Sequence, residues 1–148
     1  PGWHVPKDSF FQNNFHLLPA LVESVRERVR AAGARYLIDA YCGVGFFSVE
    51  LGDLVASYAG VELDKMAVQA TRQNAADRQR HNGEFLLGRV EDLLPALLER
   101  FPAGETVVVL DPPRTGCPAP SLALLRSARC RQILRKYLRA VNLNNYSN

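Results

Sequence analysis

The amino-acid sequence predicts an α/β fold, with a doubly wound, mostly parallel sheet covered by helices on both faces. Short apolar runs that indicate buried strands alternate with helical patterns of about 7–17 residues, which is the rhythm of βαβ units. The chemically distinctive residues all follow these predicted strands. The chain has 148 residues, of which 47% are hydrophobic and 22% charged, so it matches one globular domain and excludes wholesale disorder or a coiled coil.

The first predicted element is a helix, because apolar residues recur along it at helical spacing. These residues are Leu17, Leu18, Leu21, Val22, Val25 and Val29. An asparagine at position 13 or 14 can cap its start, and Gly33 ends it. The apolar run over residues 36–38 then predicts a buried strand, and a glycine turn leads into a second helix over residues 46–51.

The rest of the chain continues this alternation. It predicts strands over residues 58–63, 84–88 and 106–110, and helices over residues 64–80 and 91–100. The run over residues 106–110 is typical of a strand because it is apolar and rich in β-branched side chains. A further strand is expected to begin at Gln132. In the helix over residues 64–80, the side chains of Met66, Ala67, Ala70 and Asn74 are expected to face inward.

The net charge of +3 conceals an asymmetry along the chain. Residues 1–114 carry 12 basic and 15 acidic side chains, whereas residues 115–148 carry 6 basic side chains and no acidic one. A basic segment can contact nucleic acid, although a solvated helix face has the same composition. We expect residues 1–134 to form the domain, and residues 135–148 to be a basic and then asparagine-rich tail.

Cysteine usage and the start of the chain bear on the compartment. Cys42, Cys117 and Cys130 have neither C-x-x-C nor zinc-ligand spacing, so we expect reduced thiols, no metal site and a cytoplasmic location. No apolar run is long enough for a membrane helix, and no basic-then-apolar leader opens the chain, so neither a membrane span nor a signal peptide is expected. The chain begins at Pro1 without an initiator methionine, which indicates processing or a fragment of a longer protein.

Residues 39–45, after the first strand, read Asp-Ala-Tyr-Cys-Gly-Val-Gly. Gly43 and Gly45 allow the backbone to approach a ligand closely, and the next helix offers free N–H groups. The spacing matches neither the G-x-G-x-x-G of dinucleotide-binding folds nor a P-loop. Asp39 beside the turn suits a positively charged or polar ligand group better than a phosphate. The alternative is a plain glycine turn that ends a strand.

Two further segments follow predicted strands. Glu62 can accept hydrogen bonds from both hydroxyls of a ribose. The alternative is an acid that stabilises the N-terminus of the next helix through the helix dipole, a role that Asp64 could fill instead. With the glycine turn, Glu62 indicates a nucleoside cofactor without a pyrophosphate, namely S-adenosylmethionine. Asp111-Pro112-Pro113-Arg114 predicts a rigid turn that holds Asp111 in place, because each proline fixes φ and lacks an N–H. The alternative is a stiffened surface loop.

Four motifs together resemble the RNA uracil-C5 methyltransferases, the family that forms 5-methyluridine in tRNA and rRNA. They are Ser9-Phe10-Phe11-Gln12-Asn13-Asn14, Asp39-Ala40-Tyr41-Cys42-Gly43-Val44-Gly45-Phe46-Phe47-Ser48, Gly60-Val61-Glu62 and Asp111-Pro112-Pro113-Arg114-Thr115-Gly116. The resemblance implies a Rossmann-like class I methyltransferase domain, S-adenosylmethionine as cofactor and RNA as substrate. It also implies cofactor contacts from Gln12, Tyr41, Glu62 and Asp111, with Gly43 and Gly45 shaping the pocket.

The family's reaction needs groups that this chain does not show. In the family, a cysteine thiolate adds to uracil C6, C5 then attacks the methyl sulfonium, and a general base removes the C5 proton. The family's nucleophile lies in a Ser-Cys-Asn-Pro motif, which does not occur here, and the family's general-base glutamate has no counterpart because no acid follows Asp111. We therefore expect no catalytic residue in this chain, with Cys117 at the ligand edge as the alternative.

Two other functions remain open from the sequence. Methyltransferases of exocyclic amines carry a similar Asp-Pro-Pro motif, but there an aromatic residue that stacks on the target base comes next, where this chain has Arg114. A non-catalytic module could instead keep the cofactor pocket and contact RNA through the basic end of the chain.

Overall fold

The computed structural model describes residues 2–9, 16, 18–128, 130 and 132–135, in which strands and helices alternate. The strands are β1 (Tyr36–Ala40), β2 (Ser57–Glu62), β3 (Gly83–Leu87), β4 (Thr106–Leu110) and β5 (Gln132–Arg135). The helices are α1 (Leu18–Ala32), α2 (Phe46–Leu51), α3 (Lys65–Asp77), α4 (Val90–Arg100) and α5 (Ala119–Ala128). Single turns of 3₁₀-helix at Gly52–Leu54 and Ala103–Glu105 precede β2 and β4.

The strands form one parallel sheet in the order β3-β2-β1-β4-β5. The chain first builds outward from β1 to β3 and then returns to the other side of β1, so the order reverses between β1 and β4. Ala40 lies opposite Val61 of β2 and Leu110 of β4, so the three central strands end at one level. Ligands of such sheets bind beyond the carboxyl ends of the strands at this reversal.

Alternate residues of each central strand pack on opposite faces of the sheet, as strand geometry requires. On one face, Leu37 and Val107 lie in a buried cluster with residues of α1, α2 and α3. On the other face, Ile38 and Val108 lie in a second cluster with residues of α4 and α5. All four of these side chains are fully buried. The sheet is therefore covered on both sides, which confirms the predicted doubly wound α/β architecture.

Local chemistry accounts for the ends of several elements. Gly33 follows α1 with φ 61°, a left-handed conformation that favours glycine, and its N–H donates to the carbonyl of Arg30 at 3.0 Å. Asp64 is the N-cap of α3, where its carboxylate accepts the N–H of Met66 at 2.8 Å. The cap role that the sequence left open between two acids therefore belongs to Asp64.

The structure departs from the sequence-based prediction in α3 and α5. Met66 is 57% exposed, whereas the buried positions of α3 are Ala67, Val68, Thr71, Asn74 and Ala75. The prediction that Met66 faces inward is wrong. The buried positions form one stripe along α3, and Met66 lies outside this stripe on the exposed side of the helix. Helix α5 was not predicted, since the prolines at 118 and 120 obscure its start. Among the described residues, no helix is long and apolar enough to cross a membrane.

Candidate functional site

Three predicted site residues lie at the carboxyl ends of neighbouring strands. Tyr41 follows β1, Glu62 ends β2 and Asp111 follows β4. Backbone hydrogen bonds continue the sheet past the strand ends, since the N–H of Asp111 donates to the carbonyl of Ala40 at 3.4 Å. The registers of β1 with β2 and β4 bring these positions to one edge of the sheet. The convergence expected from the sequence is therefore present for these three residues, whereas Gln12 lies outside the described residues.

The turn after β1 needs glycine for two different reasons. Gly43 and Gly45 have φ 55° and 82°, in the left-handed region that most side chains avoid. Space adds a second constraint at one of them. A Cβ atom on Gly45 would lie 2.5 Å from Cγ2 of Thr71, whereas a Cβ atom on Gly43 would meet nothing within 4 Å. Tyr41 also has a positive φ, of 64°, so the chain turns sharply on both sides of Cys42.

Helix α3 holds the carbonyl groups of this turn. The hydroxyl of Thr71 donates to the carbonyl of Gly43 at 2.8 Å, and the side-chain amide of Asn74 donates to the carbonyl of Val44 at 3.0 Å. Thr71 and Asn74 are one helical turn apart and fully buried. The carbonyl groups of Gly43 and Val44 are therefore directed toward α3.

Glu62 is fixed by backbone donors on both sides. One carboxylate oxygen accepts the N–H of Gly43 at 2.9 Å, and the other accepts the N–H groups of Leu63 and Asp64 at 2.8 and 2.9 Å. A carboxylate offers about four lone-pair sites, so capacity for further donors remains on Oε2. The side chain is half-buried and ties the end of β2 to the glycine turn. Its direct role toward a ribose stays a prediction.

Asp39 lies beneath the site instead of lining it. Its side chain is 1% exposed and accepts both the N–H and the hydroxyl of Ser48, at 2.9 and 2.5 Å. Burial raises the pKa of Asp39 to about 7, although the two hydrogen bonds from Ser48 lower it. The charges of Asp111 and Glu62 also raise it. We therefore assign Asp39 a positioning role at the start of α2, in place of the direct ligand contact expected from the sequence.

The cysteines differ in their surroundings. The hydroxyl of Tyr41 donates to Sγ of Cys117 at 3.6 Å, a contact that joins the segments after β1 and β4. Burial and this contact raise the pKa of Tyr41, so its hydroxyl stays protonated. Burial raises the pKa of the Cys42 thiol well above its usual range, and burial raises that of Cys130 to about 11. Neither Cys42 nor Cys130 is therefore a thiolate near neutral pH.

The sequence did not indicate the supports of the site. Thr71 and residues 2–8, which pack against α3, were not singled out; Ser9 was named only as part of the family motif. Asn74 was expected to face inward, but its partner was not identified. The sequence did offer one signal for these supports. Asn74 is a polar residue on a helix face predicted to be buried, and a buried amide needs hydrogen-bond partners. No group of three or more His, Cys, Asp or Glu side chains within the described residues could hold a metal ion.

Comparison with known proteins shows consistent similarity to one family. The family model described as tRNA (Uracil-5-)-methyltransferase matches residues 2–134. The tRNA (uracil-5-)-methyltransferase homolog A of Mus musculus is 33% identical over 126 residues, which cover 85% of this chain and 21% of the mouse protein. The tRNA (uracil(54)-C(5))-methyltransferase of Schizosaccharomyces pombe is 35% identical over 119 residues, which cover 76% of this chain and 22% of the yeast protein. The chain thus spans about a fifth of the length of these relatives.

Solved structures give the same picture. The crystal structure of the Pyrococcus abyssi tRNA (uracil-54, C5)-methyltransferase, in complex with S-adenosyl-L-homocysteine, has a TM-score of 0.72 and 26% identity to this chain. The match covers 86% of this chain and 30% of the Pyrococcus chain. An rRNA methylase from Streptococcus thermophilus has a TM-score of 0.60 at 14% identity, a match that covers 72% of this chain and 63% of that chain and shows a shared fold.

Proposed function

Because this chain belongs to the tRNA (uracil-5-)-methyltransferase family, we propose that it forms the part of such an enzyme that binds S-adenosylmethionine. The fold is that of Rossmann-like class I methyltransferases. The observation that carries the proposal is the edge at the strand reversal, where Tyr41, Glu62 and Asp111 converge beside the glycine turn. Domain limits of residues 1–134 are part of this proposal and are supported by the extent of the family match.

The charge at this edge suits the proposed cofactor. Asp39, Glu62 and Asp111 are close enough for the charges of the latter two to raise the pKa of Asp39. S-adenosylmethionine carries a sulfonium cation, which the carboxylates of Glu62 and Asp111 attract, whereas they would repel a phosphate. Glu62 would accept from the ribose hydroxyls, and Asp111, Tyr41 and Gln12 would contact the remainder of the cofactor. Gly43 and Gly45 would let it approach the backbone.

The proposed substrate is uracil in RNA, methylated at C5. Support comes from the family and from the names of the mouse and yeast relatives. The target base has to leave its stack to reach such a site. Cys42 and Cys130 are protonated thiols, and the Ser-Cys-Asn-Pro motif is absent from the 148 residues, so we assign the nucleophilic step to no residue of this chain. The cytoplasmic location expected from the sequence is part of this proposal.

Calorimetry with S-adenosylmethionine tests the cofactor proposal. We expect one site per chain, and Glu62→Ala should weaken binding by at least about tenfold, the loss expected when hydrogen bonds to a charged group are removed. Glu99→Ala is the matched control, because Glu99 is exposed near the end of α4, away from the carboxyl ends of the strands. Absence of binding to the wild-type chain would exclude the proposal.

Two further measurements test the reaction. With RNA that contains 5-fluorouracil, we expect no covalent complex on a denaturing gel, because no thiol of this chain is assigned as nucleophile. A stable adduct that disappears in Cys117→Ser would contradict that and identify Cys117 as the nucleophile. Methylation of RNA at an exocyclic amine, identified in the product nucleosides, would contradict uracil C5 as the target.

A further inference from the structure

A strap of chain before the first helix packs along α3. This N-terminal strap (Gly2–Ser9) is held at both ends, since the carbonyl of Gly2 accepts from Arg78 at 3.5 Å and the hydroxyl of Ser9 donates to Asp64 at 3.3 Å. The ring of Trp3 packs under the guanidinium of Arg78, with 3.9 Å from Cζ to the ring centroid. These contacts join the strap to the helix that also supports the glycine turn.

Asn74 is the point where the strap and the turn meet. Its Oδ1 accepts the N–H of His4 at 2.7 Å, and its Nδ2 donates to the carbonyl of His4 at 3.1 Å. The same Nδ2 donates to the carbonyl of Val44 at 3.0 Å. A side-chain amide has two N–H donors, so one partner lies in the strap and the other in the glycine turn. The side chain is 0% exposed, which means that losing either partner leaves a buried polar atom.

We propose that Asn74 is a positioning residue that couples the N-terminal strap to the cofactor turn, so that attachment of the strap raises the affinity for the cofactor. The proposal rests on the proposed function, because it assumes that the turn at Gly43–Gly45 holds S-adenosylmethionine.

The physical reason is that the two hydrogen bonds of Nδ2 share one rigid group. While His4 holds the amide from both its N–H and its carbonyl, the amide plane is fixed, and its second N–H is aimed at Val44. Thr71 fixes the neighbouring carbonyl of Gly43 separately. When the strap detaches, the amide can rotate, and the turn loses the hydrogen bond that holds the Val44 carbonyl toward α3. The strap thus acts on the glycine turn through Asn74.

The far end of the strap reaches the start of α3. Ser9 contacts Asp64, which caps α3 and lies two residues beyond Glu62. In sequence, Ser9 is three residues before Gln12, a predicted cofactor contact. The strap therefore connects the support of the glycine turn to the surroundings of the proposed ribose acceptor.

A matched pair of variants at one position tests the coupling. His4→Ala removes the imidazole and its contact with Asp77 but keeps the backbone N–H that Asn74 accepts. His4→Pro removes the imidazole and also that N–H. Calorimetry with S-adenosylhomocysteine on the full chain should give a wild-type Kd for His4→Ala and a Kd about fivefold higher for His4→Pro, the size of one net hydrogen bond.

A double-mutant cycle separates coupling from general loss of stability. Asn74→Ala should raise the Kd by itself. His4→Pro should have no further effect in that background, because both substitutions break the same connection between the strap and the turn. Gln73→Ala is the control on α3. Within the described residues, the side chain of Gln73 forms a hydrogen bond only with Asp77. Thermal unfolding is measured for every variant. If Asn74→Ala does not fold, the comparison of His4→Ala with His4→Pro decides alone.

The outcomes distinguish this proposal from the proposed function. A wild-type chain that binds neither S-adenosylmethionine nor S-adenosylhomocysteine would refute the proposed function. A wild-type chain that binds, together with equal Kd values for His4→Ala and His4→Pro, would refute the coupling alone. A lower melting temperature for His4→Pro with an unchanged Kd would also refute it, because the contact would then be structural only.

Discussion

At the scale of single residues, the site depends on groups that a ligand would not touch. Asp39 is buried beneath the edge and orders the start of α2 through Ser48. Gly45 is required because Thr71 fills the space where a side chain would lie. Thr71 and Asn74 then hold the turn from behind. The shape of the candidate site therefore depends on buried polar groups behind it as well as on the residues at its rim.

Replacement of Asp39 by Asn should change how stability depends on pH. Burial raises the pKa of Asp39 from 3.8 to about 7, so the folded state holds a proton that the unfolded state releases from about pH 4 upward. The stability that the protonated carboxyl contributes is complete below about pH 4 and is lost as pH rises through 7. Relative to Asp39→Asn, the wild type should lose about 4 kcal/mol of unfolding free energy over this range. Urea unfolding across pH measures it, and parallel pH profiles would contradict it.

Alanine at the two glycines of the turn should have unequal effects. Both substitutions place a side chain in a left-handed conformation, which costs about 1–2 kcal/mol. Gly45→Ala also forces a Cβ atom to within 2.5 Å of Thr71, whereas Gly43→Ala meets nothing within 4 Å. Gly45→Ala should therefore lower the free energy of unfolding by at least about 2 kcal/mol more, within the usual cost of overpacking. Equal losses in chemical denaturation would show that the contact with Thr71 relaxes freely.

At the scale of elements, α3 is the support on which the site is assembled. Its buried face packs against the sheet, and Thr71 and Asn74 in its second and third turns hold the glycine turn. Its N-cap, Asp64, joins the strap to the end of β2. A single helix thus fixes the relative positions of the turn, the strap and the proposed ribose acceptor.

Substitutions at Thr71 should distinguish the contribution of its hydroxyl group from that of its methyl group. Thr71→Val keeps the shape but removes the donor to the carbonyl of Gly43, which costs about 1 kcal/mol and leaves that carbonyl without this partner. Thr71→Ser keeps the donor and removes the methyl group that faces Gly45. We expect Thr71→Val to weaken binding of S-adenosylhomocysteine more than Thr71→Ser does in calorimetry. The reverse order would mean that packing, and not the hydrogen bond, orders the turn.

At the scale of the whole molecule, the reversal of strand order creates the site. Strands β1, β2 and β4 are adjacent and end at one level, so residues far apart in sequence meet at one edge. Both faces of these strands are buried by helices. A ligand that binds there contacts several segments of the fold together and should stabilise the entire domain.

Cofactor binding should therefore raise the melting temperature of the chain. At a concentration one hundred times its Kd, a ligand that binds only the folded state adds about 2.7 kcal/mol of stability. For a domain of this size, that corresponds to a rise of roughly 5–11 °C. Differential scanning calorimetry with S-adenosylmethionine measures it, and Glu62→Ala at the same cofactor concentration should show a smaller rise. An identical rise in both proteins would place the cofactor elsewhere.

The order of strands and helices was predictable because local patterns carry it. The β-branched run at β4 (Thr106–Leu110) was predicted over the same residues that form the strand, and the strand at Gln132 was also predicted. Met66 was misplaced because two overlapping stripes fit the spacing of α3 equally well from sequence. Helix α5 was missed because Pro118 before it and Pro120 in its first turn resemble a loop. In these cases, packing against neighbouring elements selects between patterns that are locally equivalent.

The sequence by itself determined the fold class, the glycine turn and the positions of Tyr41, Glu62 and Asp111 after strands, because strand ends and turn residues are local properties. Only the tertiary structure decided that Asp39 points into the core and that Asn74 joins the strap to the turn. The partners of Asn74 lie 30 and 70 residues away in sequence. A polar side chain predicted to be buried indicates that hydrogen-bond partners must exist, but which groups bond to it depends on how the complete chain packs.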